Sequence, residues 1–268
     1  MHVLTHTLPI TLQQARKASR LSQLELSMRV GVSQRHVSFV ESGRSKPSRG
    51  LLMAWLQELD APLAVRNAAM LQAGYAPAFG AASLTDPVLA PANLALQQLL
   101  NAHDPMPALV LDAQWNLLHL NRGAQWLAAT LMPWSAELPP NTPVNMLDLL
   151  AHPEGLTKMM LNLDEVGPAL LAHVRDDASV HPALTPQVEA FADLLRTRLG
   201  AQSLHTGWPR STAPVLTTRF ATPYGELAFF SMFTTFGTPQ DITLASLRVE
   251  HMFAADAATQ AALKTQLA

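Results

Sequence analysis

The 268-residue chain is 49% hydrophobic and 14% charged, a balance that supplies folded cores and excludes a chain dominated by disorder. It has no cysteine, which excludes disulfides, thiolate zinc sites and cysteine-ligated iron–sulfur clusters. No apolar run reaches the ~18 residues of a membrane span and no basic-then-apolar start reads as a signal peptide, so a soluble, cytoplasmic protein without membrane contact is expected. The net charge of −2 is unevenly spread. Residues 1–80 carry nine Lys or Arg against four acids, and residues 81–268 carry nine against sixteen. A basic head on an acidic body is the distribution expected when only the head touches nucleic acid.

In chain order, residues 1–10 read as a poorly ordered arm. Thr11 and Gln14 suit the cap of a first helix, with Leu12 and Ala15 inward and Arg16, Lys17 and Arg20 outward. Ser22 followed by Glu25 has the spacing of a capping box, and Leu24, Leu26 and Val30 give the second helix its apolar positions. Gly31 stands where a tight inter-helix turn needs a positive φ. Val32 fills the corner, Ser33 caps a third helix with Val37 and Val40 as its buried stripe, and Ser27 is the small residue at the crossing. Leu51, Leu52, Trp55, Leu56 and Leu59 mark a fourth helix. Pro62 opens a fifth, through Val65, Ala69 and Met70 to Gly74. The pattern is a helix-turn-helix in a domain spanning 8–75.

On that geometry the third helix presents Gln34, Arg35, Ser38 and Phe39. Gln and Arg can make paired hydrogen bonds to base edges in a major groove, and Phe can lie against a thymine methyl. Gln23 at the start of the second helix suits a phosphate, as do the amides around the Ser33 cap. Arg44, Lys46 and Arg49 follow in a Gly/Pro/Ser loop and suit backbone anchoring. The segment LSQLELSMRVGVSQRHVSFVESGRSKPS closely resembles the Xre class of phage-repressor-like, lambda-repressor-like DNA-binding domains. Glu41-Ser-Gly-Arg44 with Pro47 is the most distinctive part of the resemblance. Ser27 stands where that class usually has Ala.

Residues 76–92 hold three prolines and no apolar periodicity, and read as a partly docked linker. A short helix, 93–101, opens a second domain, 93–268. Ala108–Leu111 is expected as a strand, Asp112-Ala-Gln as a turn and Trp115–Leu120 as a second strand. Asn121 then leads into a helix. A proline-rich loop at 133–143 precedes helices expected at 144–151, 154–163, 164–178 and 185–199. Strands are expected at 215–221, 226–236 and 243–253, the first two turned by Pro223-Tyr-Gly225, with a helix near 254–267. Strands first, helices in the middle and antiparallel strands last describe an α+β domain.

A strand, an Asp turn, a strand and an Asn-led helix resemble the start of a PAS domain. PALVLD-x-x-W-x-x-L-x-x-N-R at 107–122 behind an Xre-type head resembles the MmyB-like transcription regulators, a likeness continued by Asn145-Met-Leu-Asp-Leu-Leu150 and the hairpin at 215–236. The resemblance implies a PAS-like ligand-binding domain, with a fatty acid as the kind of ligand. The methionines and aromatics suit a pocket around an acyl chain, among them Met106, Trp115, Trp126, Met146 and Phe229, and they suit an ordinary core equally. Asn121, Arg122 and Arg219 are candidates to orient a carboxylate. For Asn121 the competing role is capping, and for Arg219 a solvent-facing strand position.

No pair among the ten histidines has ligand spacing, so no metal site is expected. His119 is a candidate pocket residue or haem ligand only by analogy with PAS relatives. Gly-x-Ser-x-Gly, the Walker loop and Gly-x-Gly-x-x-Gly are all missing, so no enzyme is expected. The reading is a transcription regulator that binds an operator as a homodimer, under control of a small apolar ligand. Two alternatives stay open: the second domain could serve only dimerisation or protein interaction, or it could turn over a lipid-like metabolite.

Overall fold

The computed structural model describes residues 7–139, 142–200 and 214–268. The expected arm over 1–6 and part of the proline-rich loop lie outside them. The chain divides into two compact units, one of residues 1–83 with 238–245, the other of 84–237 with 246–268.

The first unit is all-α: α1 (Leu8–Ala18), α2 (Gln23–Val30), α3 (Gln34–Glu41), α4 (Arg49–Glu58) and α5 (Leu63–Gln72). α1 starts earlier than expected, at Thr7 rather than Thr11, because Pro9 in its first turn has its φ already set for the helix. α2 carries the capping box: the Ser22 hydroxyl accepts from the Glu25 amide and the Glu25 carboxylate accepts from the Ser22 amide. Gly31 ends it at φ 71°, in the left-handed region that favours glycine. Ser33 accepts the His36 amide and starts α3. Leu12, Leu26, Val37, Val40, Leu52 and Trp55 meet in one core, and Ser27 is buried at the α2–α3 crossing.

Two expectations about facing are corrected. Arg16 is buried, not outward, and Leu24 is 52% exposed. In α2 only Leu26 and Val30 are four residues apart on one stripe, and Leu24 falls outside it. Residues 76–82 are held by side chains. Buried Asn67 accepts from the Ala78 and Phe79 amides and donates to the Phe79 carbonyl. Gly80 pairs with Asp241, whose carboxylate also accepts the Ala82 amide at 3.2 Å. A Cβ on residue 80 would lie 2.6 Å from that carboxylate, so the approach requires glycine.

The second unit is an α+β, PAS-like domain around a five-stranded antiparallel sheet. Its strands are β1 (Ala108–Leu111), β2 (Leu117–Leu120), β3 (Thr218–Thr222), β4 (Gly225–Thr234) and β5 (Arg248–Ala254), in the order β2-β1-β5-β4-β3. A 3₁₀ turn capped by Asp86 runs into α6 (Ala90–His103), longer than the expected helix. β2 begins two residues late because Asp112 gathers the Gln114 and Asn116 amides into a turn that puts Trp115 at φ 64°. α7 (Arg122–Leu131) follows the Asn121 cap.

After α7 come α8 (Met146–Ala151), α9 (Leu163–Val180) and α10 (Thr185–Leu199). The helix expected at 154–163 is a single 3₁₀ turn, Leu156–Met159, because Met160 bridges Phe220 and the Leu161 amide bonds to the Arg219 carbonyl along β3. Pro223 and Tyr224 turn β3 into β4, with Thr222 opposite Gly225. The strand expected from 243 starts only at Arg248. Asp241 accepts the Thr243 amide and sets a short helix, α11 (Ile242–Ser246), ahead of it. α12 (Ala257–Gln266) is capped by Asp256.

Candidate functional site

In the first unit, α3 leaves Gln34 and Arg35 exposed and Ser38 and Phe39 half-buried. The Phe39 ring lies beneath two guanidiniums, Arg35 at 5.1 Å and Arg44 at 5.8 Å from its centroid. Such stacking holds flexible cations near one face. The Lys46 ammonium lies 4.8 Å from the Tyr75 ring, whose hydroxyl donates to the Pro47 carbonyl. Arg49, exposed, opens α4 behind the Ser48 cap. The Ser33 hydroxyl is occupied in capping.

Gln23 has a partner the sequence did not suggest: its amide donates to Glu41 at 2.9 Å. Glu41 is the acceptor of a two-point ion pair with Arg16, at 2.7 and 2.8 Å, and Arg16 also donates to the Leu21 carbonyl. The hydrogen bond to Glu41 raises the Arg16 pKa above its ordinary value. This buried cluster ties α1, α2 and α3 together behind the exposed residues. Arg16 read as a solvent-facing cation because periodicity reports only which stripe a residue shares, not which buried acid comes to meet it.

In the second unit the sheet and α7–α9 enclose a cavity of about 370 Å³, within the range of small-molecule sites. Leu109, Leu127, Leu131, Met160, Leu170 and Phe220 are typical of its lining, and the only side chains with N or O atoms there, among the described residues, are Trp115, His173, Thr218, Ser231 and Glu250. Leu127, Leu131 and Leu150 are buried, whereas His173, Ser231 and Phe233 keep substantial exposure. The cavity is therefore apolar at depth and polar toward its open end.

Trp115 and Met146 line this cavity; the other candidate ligand contacts lie outside it. Asn121 spends every polar atom on structure: its carbonyl accepts the Ala108 and Ala124 amides, and its amide donates to the Leu100 and Met106 carbonyls. Arg122 donates to the Leu267 carbonyl. Exposed Arg219 pairs with Glu226 across the hairpin. Met106 packs with the cluster around Leu127 and Leu263, as do Phe229, which is fully buried, and Trp126, which also leans on Tyr224. His119 is not among the lining residues, and no group of three metal-ligating side chains occurs among the described residues.

The polar end was missed by the sequence reading. β5 turns Arg248, Glu250 and Met252 to one face by its period of two. Glu250 stands in register between Leu109 of β1 and Phe233 of β4, and Ser231 meets its carboxyl at 2.6 Å. The carboxyl opens onto the cavity, but the apolar groups crowding it from both strands desolvate it. That desolvation raises its pKa, although Ser231, Arg248 and His173 all pull the other way. Arg248 lies over the Trp115 ring at 4.1 Å and bonds Asp177, which also accepts the Trp115 indole N–H. Alternation along Arg248-x-Glu250-x-Met252 was the available signal. It was obscured because residues 243–247 were counted into the same strand.

No helix among the described residues is long and apolar enough to cross a membrane. No curated protein matches the chain. Among solved structures it is similar to the "Structure of an RNA-binding Light-Oxygen-Voltage Receptor", at 13% identity and a TM-score of 0.26, with 96% of this chain and 61% of that chain covered. The chain thus spans about three fifths of that structure's length, and so slight a likeness carries no functional argument. Residues 12–65 match the helix-turn-helix family. Residues 92–265 match the family described as MmyB-like transcription regulator ligand binding domain. With that match covering well over half of its length, the chain belongs to the MmyB-like transcription regulators, a helix-turn-helix head joined to a ligand-binding domain.

Proposed function

We propose that this protein is a sequence-specific regulator of transcription, acting in the cytoplasm, whose hold on an operator responds to an apolar, acyl-chain-like molecule of the fatty-acid type. The observation that carries the reading is the cavity, about 370 Å³ of space with an apolar deep end. A core built only for packing leaves few voids larger than a water molecule.

In this reading α3 enters the major groove. Gln34 and Arg35 read base edges, and Ser38 and Phe39 complete the reading face. Gln23, the amides at Ser33, Arg44, Lys46 and Arg49 engage phosphates and fix register. A homodimer places two such helices about one duplex turn apart on a palindromic site. Ligand changes operator affinity through unequal affinity for two arrangements of the protein.

The test is mass spectrometry of an organic extract of the purified protein, against buffer and an unrelated protein, followed by operator titration with the compound found. A stoichiometric amphiphile that shifts operator affinity is expected. A chemically altered product after incubation would instead favour turnover. No bound compound, together with no operator shift by added fatty acids, would overturn the ligand reading in favour of an interaction domain.

A further inference from the structure

The polar end of the cavity restricts the ligand's headgroup, an inference that rests on the apolar-ligand reading above. We propose that this end is a selector for uncharged headgroups: it takes an apolar chain ending in a hydroxyl, amide or un-ionised carboxylic acid and rejects the carboxylate anion, with Glu250 as the specificity-determining residue.

The geometry supports this from every side of Glu250. On its own strand Arg248 is the nearest cation, but it is turned to Asp177 of α9 at 2.8 Å and stacked on Trp115. On β4, Ser231 bonds the Glu250 carboxyl and Phe233 stands opposite it; on β1 the opposite residue is Leu109. α9 contributes His173, wedged between the Trp115 and Phe233 rings. A hydroxyl or amide arriving here can donate to the Glu250 carbonyl oxygen or to Ser231, and accept from whichever of them carries a free proton. A carboxylate can only accept. It would face another carboxyl in a poorly solvated setting with Arg248 already committed to Asp177, and two carboxylates in one such site do not both ionise. The raised pKa of Glu250 fits the same picture, since a neutral acid both donates and accepts. A fatty acid would therefore enter carrying its proton.

The experiment is calorimetric titration of the full chain with decan-1-ol and with decanoate, at about pH 5.5 and about pH 8.5, in the parent and in Glu250→Gln. Decan-1-ol is expected to bind with little change across the range. Decanoate affinity should fall roughly ten-fold per pH unit above the acid's own pKa, because the proton must be bound with it. In Glu250→Gln, decanoate at the higher pH should gain at least roughly ten-fold, since a neutral amide donor replaces a competing carboxyl. Decan-1-ol binding to the same variant reports that it is folded and its cavity intact. Decanoate binding to the parent at about pH 8.5 within roughly three-fold of decan-1-ol, or no gain in the variant, would overturn the headgroup selector and leave the apolar-ligand reading standing. Binding of neither compound at either pH would overturn both.

Discussion

Replacing Glu41 by Gln keeps the shape of the side chain and removes its charge, isolating what the buried ion pair does for the DNA-binding unit. The Arg16 side chain is 10% exposed and that of Glu41 2%, so neither charge can turn to water without opening the helices around it. Removing one partner of such a pair leaves the other buried and uncompensated, at a cost of about 3–5 kcal/mol. The remaining bond from Arg16 to the Leu21 carbonyl is one neutral acceptor for a guanidinium, so the cost should fall inside that range. It is a large share of the ~5–15 kcal/mol that holds a typical domain together. The double change Arg16→Met with Glu41→Leu removes both charges and should cost much less, about 1–2 kcal/mol, because no orphaned ion remains.

Hydrogen exchange read by mass spectrometry on peptides covering 23–41 follows this unit separately from the ligand-binding unit. Amides that exchange by opening of the whole unit should exchange about 10²–10³-fold faster in Glu41→Gln, and the double variant should lie much nearer the parent. An acceleration below about ten-fold in the single variant, or equal acceleration in both, would refute the reasoning, since the pair would then be solvated in solution.

The remaining predictions address DNA contact, packing and pH. Arg35→Ala should relax base preference at one operator position at a cost of about 1–3 kcal/mol, whereas Arg44→Ala should weaken all DNA alike and lower the salt slope by about one; an unchanged slope for Arg44→Ala would remove its phosphate role. Asn121→Ala deletes a helix cap and strands the buried Ala108 amide, so a loss of about 3 kcal/mol in the ligand-binding unit is expected by urea unfolding. A loss under about 1 kcal/mol would contradict the four-bond role given to this side chain. For Glu250 the folded pKa lies above its ordinary value of 4.5. Its contribution to stability is thus complete below that value and lost as pH rises through the folded pKa. Glu250→Gln should therefore melt above the parent at about pH 8 and converge with it in acid; a difference independent of pH would rule this out.

The head was legible almost residue by residue because its signals are local. A capping box, a left-handed glycine and a small residue at a helix crossing each act within a turn or two, and they lie where the spacing placed them. The ligand-binding unit was legible in architecture, strands flanking helices, but much less in its site. Asn121 read as a cap or as a ligand contact, and only long-range partners at Leu100 and Met106 decide for structure. Arg219 read as a candidate cation, and its strand neighbour across the hairpin claims it. Glu250 drew no attention because its meaning depends on Leu109 and Phe233, which lie 141 and 17 residues away along the chain but beside it in the sheet. Residues whose roles are set by such pairings leave little trace in a periodicity.

The docking of Gly80 and Ala82 on Asp241 has a practical consequence for anyone dividing this molecule. The chain leaves the first unit after residue 83, returns to it for 238–245 and leaves again, so no single cut yields both units whole. A fragment ending at 83 discards the carboxylate that holds the Ala82 amide and the Ile242 amide that bonds the Gly80 carbonyl. A fragment beginning at 84 keeps 238–245 but deprives it of the surface it belongs to. Trimmed head fragments should accordingly fray at their last residues. A faithful dissection would remove 84–237 and splice the return segment back onto the head, treating the protein as one unit inserted into another.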